Sequence, residues 1–103
     1  MARFDVYPNP DSEDRIAVPY LLDVQNTFVD IETRVVIPLH AASRFHARVR
    51  DLNPDLVVQG KNVVLNTAAL GAVPSNELRR AVANLAPQQA LIQEALDILL
   101  GGY

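Results

Sequence analysis

Residues 34–39 read Arg34-Val35-Val36-Ile37-Pro38-Leu39, a β-branched run with a proline near its end, and they are the clearest strand in the chain. A proline donates no backbone hydrogen bond, so within a sheet it belongs at an edge, a bulge or a bend. The same signal recurs upstream, where the apolar stretch Ile16 to Val24 carries Pro19 inside it. That stretch reads as an edge or bulged strand, or as two short strands. Farther upstream Arg3, Phe4, Asp5 and Val6 alternate as a half-buried strand does, and Pro8-Asn9-Pro10 stops it. Downstream, Leu56 to Gln59 and Val63 to Leu65 form a hairpin turned at Gly60-Lys61-Asn62. Leu70 to Pro74 is a further short strand or bend.

Between these strands, Asp11 to Arg15 is charged and turn-prone, an expected exposed loop. His40 to Leu52 carries Ala42, Phe45, Val49 and Leu52 at helix-like spacing, but Asn53-Pro54 breaks the pattern, so a loop with a short helix is expected. Ser75 or Asn76 is placed to cap a short helical turn that leads through Arg79-Arg80 into Ala81 to Leu85. The period then changes. Pro87 suits a first helical turn, and Leu91, Ile92, Ala95, Leu96 and Leu99 recur at helical spacing with Gln93, Glu94 and Asp97 opposite. Gly101 supplies a left-handed stop. The outline is β-rich: an antiparallel barrel or sheet with one C-terminal α-helix.

The chain has 103 residues, half of them hydrophobic and a fifth charged, which suits one folded domain over residues 1–103. A chain this short hides only about two-thirds of its unfolded surface, so a tight core or a dimer is expected. Nine basic against twelve acidic residues leave a net charge of −3, the wrong sign for a general binder of phosphate backbones. There is no cysteine, hence no disulfide framework, zinc–thiolate site or thiol nucleophile. Met1-Ala2-Arg3-Phe4-Asp5 is not a signal peptide, and no apolar run approaches the roughly 18 residues of a membrane span. A soluble, cytoplasmic protein is expected.

Motifs for catalysis are missing. His40 and His46 stand six apart, lack the i, i+4 spacing of a helical metal pair, and have no adjacent carboxylate; they read as exposed or partly packed loop residues. No metal, cofactor or catalytic group is expected. The acids Asp11, Glu13, Asp14, Asp30 and Glu32 read as solvated loop residues. From Thr33 to Arg50 there are four arginines (Arg34, Arg44, Arg48, Arg50), two histidines and no acid, a local reversal of charge that suits either solvent or an acidic partner. The tail Gly101-Gly102-Tyr103 ends on an aromatic residue, which suits either a back-folded terminus or an exposed anchor for a partner.

Along almost its whole length the chain resembles the CcdB-type toxins of bacterial toxin–antitoxin modules. The resemblance runs in order through Phe4-x-Val6-Tyr7, Leu22-Asp23-Val24-Gln25, Arg34-x-Val36-Ile37-Pro38-Leu39, Leu52-Asn53-Pro54, the hairpin, Ala72-Val73-Pro74 and the terminal helix. It implies an SH3-like barrel, a two-fold homodimer, and a binder that is not an enzyme. Such toxins trap the DNA gyrase A subunit on cleaved DNA, and a cognate antitoxin from the same operon removes them. No direct nucleic-acid contact and no membrane are implied. Carried onto this chain, the gyrase-facing positions are Phe28, Val29, Asp30, Asp97, Leu100, Gly101, Gly102 and Tyr103. The family places a tryptophan, a glycine and an apolar residue last; here Gly101 stands at the tryptophan position and Tyr103 ends the chain. Antitoxin contacts are expected from Asp11, Glu13 and Arg15, and from Arg44, Arg48 and Arg50. Two alternatives stand beside this. One is a MazF/Kid-like endoribonuclease toxin on the same barrel, drawing on Arg34 with Asp30 or Asp23. The other is a degenerate toxin that only binds antitoxin.

Overall fold

A computed structural model describes residues 1–102. Its strands are β1 (Asp5–Pro8), β2 (Tyr20–Asp23), β3 (Thr33–Ala41), β4 (Asp55–Val58), β5 (Lys61–Leu65), β6 (Gly71–Pro74) and β7 (Ala83–Asn84), followed by helix α1 (Gln89–Leu100). All pairings are antiparallel, in the order β4-β5-β3-β2-β1-β7, with β6 also on β3. The result is a nearly closed, SH3-like β-barrel with one C-terminal helix.

The run that decides the fold is its central strand. One edge of β3 pairs Val36–Leu39 with β2. The other edge is divided: Thr33–Val36 pair with β6 and Leu39–Ala41 with β5. Pro38 sits at that division. Its carbonyl accepts the Asn66 N–H at 3.0 Å, and its nitrogen, facing the same way, has no N–H to leave unpaired where the partner strand changes.

Two apolar clusters occupy opposite faces of the sheet. The larger gathers Val6, Leu22, Ile37, Leu39, Leu56, Val58, Val63 and Leu65, and is covered by Ile92, Ala95 and Leu96 of α1. The smaller holds Tyr7, Leu21, Val36 and Leu78. Neighbours in sequence thus go to opposite sides, which is why β2 is buried at every position. The edge of β4 is closed by a side chain: Gln88 accepts the Val57 N–H at 3.1 Å and donates to the Val57 carbonyl at 2.9 Å.

Several boundaries differ from those the sequence suggested. Strand β1 begins after Phe4, which adopts φ +74° in a turn while its ring enters the core. The Ile16–Val24 stretch forms one strand only from Tyr20, directly after Pro19. His40 is not in a loop, since β3 runs on to Ala41 before a single 3-10 turn over Ala42–Arg44. The hairpin turns at Gln59 and Gly60, both at positive φ, as a two-residue type I′ turn demands. After a 3-10 turn at Ser75–Glu77, the expected helical stretch is replaced by the short strand β7 at Ala83–Asn84, which pairs with β1. Leu78 joins the smaller cluster and Leu85 the larger, on opposite faces of the sheet. In α1, Leu91 is exposed, and Pro87 lies in the 3-10 turn just before the helix. No helix of the described residues is long and apolar enough to cross a membrane.

Candidate binding site at the 25–30 loop and the helix end

The loop after β2 is held from beneath by a buried ion pair. Arg34 Nε donates to Asp23 Oδ2 at 2.7 Å and Arg34 Nη2 to Asp23 Oδ1 at 3.0 Å, a two-pronged guanidinium–carboxylate contact. Their side chains are 4% and 0% exposed, so both charges depend on local partners. Those partners belong to the loop. Asp23 Oδ1 also accepts the Gln25 N–H at 2.9 Å, and Arg34 donates to the carbonyls of Val29 at 3.2 Å and Gln25 at 3.4 Å.

Gln25 completes the cradle. Its Oε1 accepts the Val35 N–H at 2.9 Å, where a ladder bond would otherwise lie, and its Nε2 donates to the Val29 carbonyl at 3.0 Å. The Asn26 side chain accepts the Phe28 N–H at 2.9 Å, an Asx turn that sets the loop tip. The outcome is a braced loop that holds the Phe28 ring 92% exposed, with Val29 and Ile31 also exposed beside it. Phe28, Val29 and Ile31 together form an exposed apolar patch, a candidate interaction surface. Asp30, also exposed, turns to a hollow of about 250 Å³ shared with Met1, Thr27, Ile31, Arg34 and Ser75.

The helix end is joined to this loop through Arg3. The Arg3 N–H donates to Thr27 Oγ1 at 2.9 Å and its Nε to the Val24 carbonyl at 3.1 Å. Its Nη2 reaches Gln93 Oε1 on α1 at 3.0 Å, while the guanidinium lies 4.6 Å over the Phe4 ring. Gln93 in turn donates to Asp97 Oδ1 at 3.0 Å. The Asp97 carbonyl accepts the N–H groups of Gly101 and, at 2.7 Å, Gly102, the latter the six-to-one bond of a Schellman stop. Gly101 takes φ +77°, and a Cβ on Gly102 would lie 3.1 Å from Asp97 Cβ. Leu100 stands 69% exposed at this end.

Of the positions carried over by resemblance, Phe28 and Val29 therefore share one braced loop, and Asp97, Leu100, Gly101 and Gly102 share one helix terminus. Tyr103 lies outside the described residues. Arg3, Gln25, Asp23 and Arg34 do the positioning. Asp23-Val24-Gln25 was visible as a string, but its role required knowing that Arg34 lies opposite it across the sheet. Nothing near Arg3 in sequence points to Gln93.

The other expected sites fare differently. Asp11, Glu13 and Arg15 are exposed on one loop. Of the four arginines between Thr33 and Arg50, two are already neutralised: Arg34 by Asp23, and Arg48 by Asp55 at 2.6 Å. Arg48 also reaches the carbonyls of Phe45 and Ala42, so the stretch is less positive than its composition suggests. Of the combinations drawn on for ribonuclease chemistry, Arg34 with Asp23 is a buried ion pair, while Asp30 and Arg34 line one shared hollow. His40 lies half-buried in edge-to-face contact with Phe45 and 3.1 Å from Asn66 Nδ2. Burial holds it below its ordinary pKa of 6.5, with Asp14 pulling the other way. No group of three or more metal-ligating side chains forms among the described residues.

Comparison with known proteins gives two findings. The family model described as CcdB protein matches residues 3–102 of the 103. No curated protein matches the chain.

Proposed function

Because the chain belongs to the CcdB protein family, whose members are toxins of toxin–antitoxin modules, we propose that it binds the DNA gyrase A subunit, traps the cleaved gyrase–DNA complex, and is removed by a cognate antitoxin. Residues 1–103 act as one toxin domain and associate as a homodimer in the cytoplasm. The observation that carries this reading is the family match over residues 3–102. The site geometry supports it: an aromatic ring presented to solvent by a braced loop, tied by hydrogen bonds to an apolar helix end, is built for docking against a protein.

Phe28, Val29 and Leu100 supply the apolar contact in this reading. Asp97 holds the turn at Gly101-Gly102 that closes the helix, and Asp30 stands at the loop's rim. Tyr103 serves as the aromatic anchor two positions beyond the place where the family carries tryptophan. Antitoxin contacts fall on Asp11, Glu13 and Arg15, and on Arg44 and Arg50; Arg48 contributes by holding its loop against Asp55. The toxin acts by occupying a surface and performs no bond chemistry of its own.

The test is expression of the intact chain beside a chain lacking Gly101 to Tyr103, together with incubation of the purified protein with gyrase and supercoiled plasmid. The expected result is growth arrest and linearised plasmid with the intact chain, and neither with the truncated one, while the truncated chain still folds. RNA fragmentation without any effect on gyrase would overturn the reading in favour of an endoribonuclease. Antitoxin binding without growth arrest would reduce the protein to a decoy.

A further inference from the structure

The residue just before α1 is Gln88, and its side chain turns away from the helix. Serine, threonine, asparagine or aspartate ordinarily stands at this position and caps the free amides of the first turn, but Gln88 makes no such bond. Its amide reaches sideways to the outer edge of β4. There it accepts the Val57 N–H at 3.1 Å and donates to the Val57 carbonyl at 2.9 Å. A neighbouring antiparallel strand would offer Val57 the same acceptor and donor together, so one side chain stands in for one residue of a strand.

Little else guides the start of the helix on this side. Strands β4 and β7 end the order of paired strands, and side chains bridge the seam: Gln88 at Val57, and Gln59, whose Nε2 donates to the Val82 carbonyl at 3.0 Å. Beyond Gln88 the helix stands off the start of β4, with Pro54, Asp55, Leu91 and Glu94 among the residues around a hollow of about 340 Å³. Burial of Ile92, Ala95 and Leu96 draws α1 onto the core, but apolar attraction has no direction of its own. Two hydrogen bonds to one amide are directional, and they fix where the helix begins and how it is turned. The helix has 12 residues and is about 18 Å long, so a tilt of about 10° at its start moves its far end by about 3 Å. That shift is as large as a hydrogen bond is long.

We propose that Gln88 is a positioning residue: it clasps the start of α1 to the edge of β4 and so sets the direction in which the helix carries Asp97, Leu100 and the Gly101-Gly102 turn. The clasp is independent of what the protein binds. Its effect on docking rests on the function proposed above.

The test compares the full-length protein, labelled for amide NMR, with its Gln88→Ser variant. Serine is a favoured N-cap, so α1 still starts here, but its side chain is too short to reach Val57. In the parent the Val57 amide is protected, and the residual dipolar couplings of α1 fit the same alignment frame as those of β2 and β3. In Q88S the Val57 amide exchanges about fivefold to thirtyfold faster, and the α1 couplings leave the frame that β2 and β3 keep. Gln88→Glu keeps the acceptor, loses the donor, and falls between the two. Affinity for the gyrase A subunit, read by titration calorimetry, drops about threefold to tenfold in Q88S. Unchanged Val57 exchange in Q88S, or α1 couplings that still fit the parent's frame, would overturn the clasp. Couplings that leave the frame with gyrase affinity unchanged would overturn its part in docking. A parent protein that does not bind gyrase overturns the proposed function instead, and the two NMR measurements still decide the clasp.

Discussion

Removing one partner of the Asp23–Arg34 pair separates what holds the barrel together from what positions the loop. Asp23→Ala leaves the Arg34 guanidinium 4% exposed with only the carbonyls of Val29 and Gln25 to meet it. An uncompensated buried charge of this kind costs about 3–5 kcal/mol. With a urea slope of about 1.5 kcal/mol per molar, the unfolding midpoint drops by about 2–3 M. Arg34→Met falls in the same range, since the Asp23 carboxylate then keeps only the Gln25 N–H. The double variant Asp23→Ala/Arg34→Met removes both charges and returns to within about 1–2 kcal/mol of the parent, because an apolar substitute for a buried pair is close to neutral. Recovery of function does not follow. The Val29 carbonyl loses its guanidinium donor in the double variant, so amides of residues 25–30 exchange faster and growth arrest stays weak. The measurements are urea unfolding at one fixed protein concentration, hydrogen exchange, and growth on induction. Two results refute the reasoning: a single variant within about 1 kcal/mol of the parent, or a double variant that regains toxicity along with stability.

Further outcomes follow from other side chains. Phe28→Ala leaves stability within about 0.5 kcal/mol, because the ring is 92% exposed, but weakens target binding by about tenfold to a hundredfold, read by titration calorimetry against the gyrase A subunit. His40 carries fewer protons when folded than when unfolded. Stability is therefore full above about pH 7 and declines as pH falls through 6.5, levelling off below the folded value; His40→Gln flattens that slope in urea melts across pH 5–8. Gly101→Ala forces a Cβ into φ +77° and lowers Tm by about 4–8 °C, corresponding to about 1 kcal/mol. Gly102→Ala instead presses on the Cβ and Cα of Asp97, so it frays the last turn, seen as loss of the Gly102 amide's exchange protection.

What could be read from the chain and what could not divide along one physical line. Strands declared themselves where a β-branched run met a proline, and α1 where the apolar period changed after Pro87. These are local signals, and they led to the barrel-plus-helix outline. The segment from Ala81 to Leu85 misled because the capping residues Ser75 and Asn76 open only one 3-10 turn, after which the edge of β1 claims Ala83 and Asn84 as a strand. Positive φ at Gln59 moved the hairpin turn one residue earlier, since a type I′ turn uses Gln59 and Gly60 and leaves Lys61 in the strand. At the site, the exposed Phe28, Val29 and Leu100 were reached by resemblance alone. Their supports were hidden for a different reason: Arg34 lies 11 residues from Asp23 and Arg3 lies 90 from Gln93, and no window of sequence joins such pairs. Charge was the least legible property. Arg34 and Arg48 count as cations in composition and as neutralised groups in the fold.

The bridge from Arg3 to Gln93 spans nearly the whole chain, and it bears on when the site comes into being during synthesis. The loop at Phe28 is translated early, but its tie to the helix terminus waits for residues 93–102 to leave the ribosome. The same holds for β1, whose outer edge is taken only by β7. Contacts this distant in sequence carry a large loop-closure entropy cost and slow folding. A nascent chain that has not yet released the C-terminal helix therefore lacks both the Arg3–Gln93 tie and the packing of α1 on the barrel.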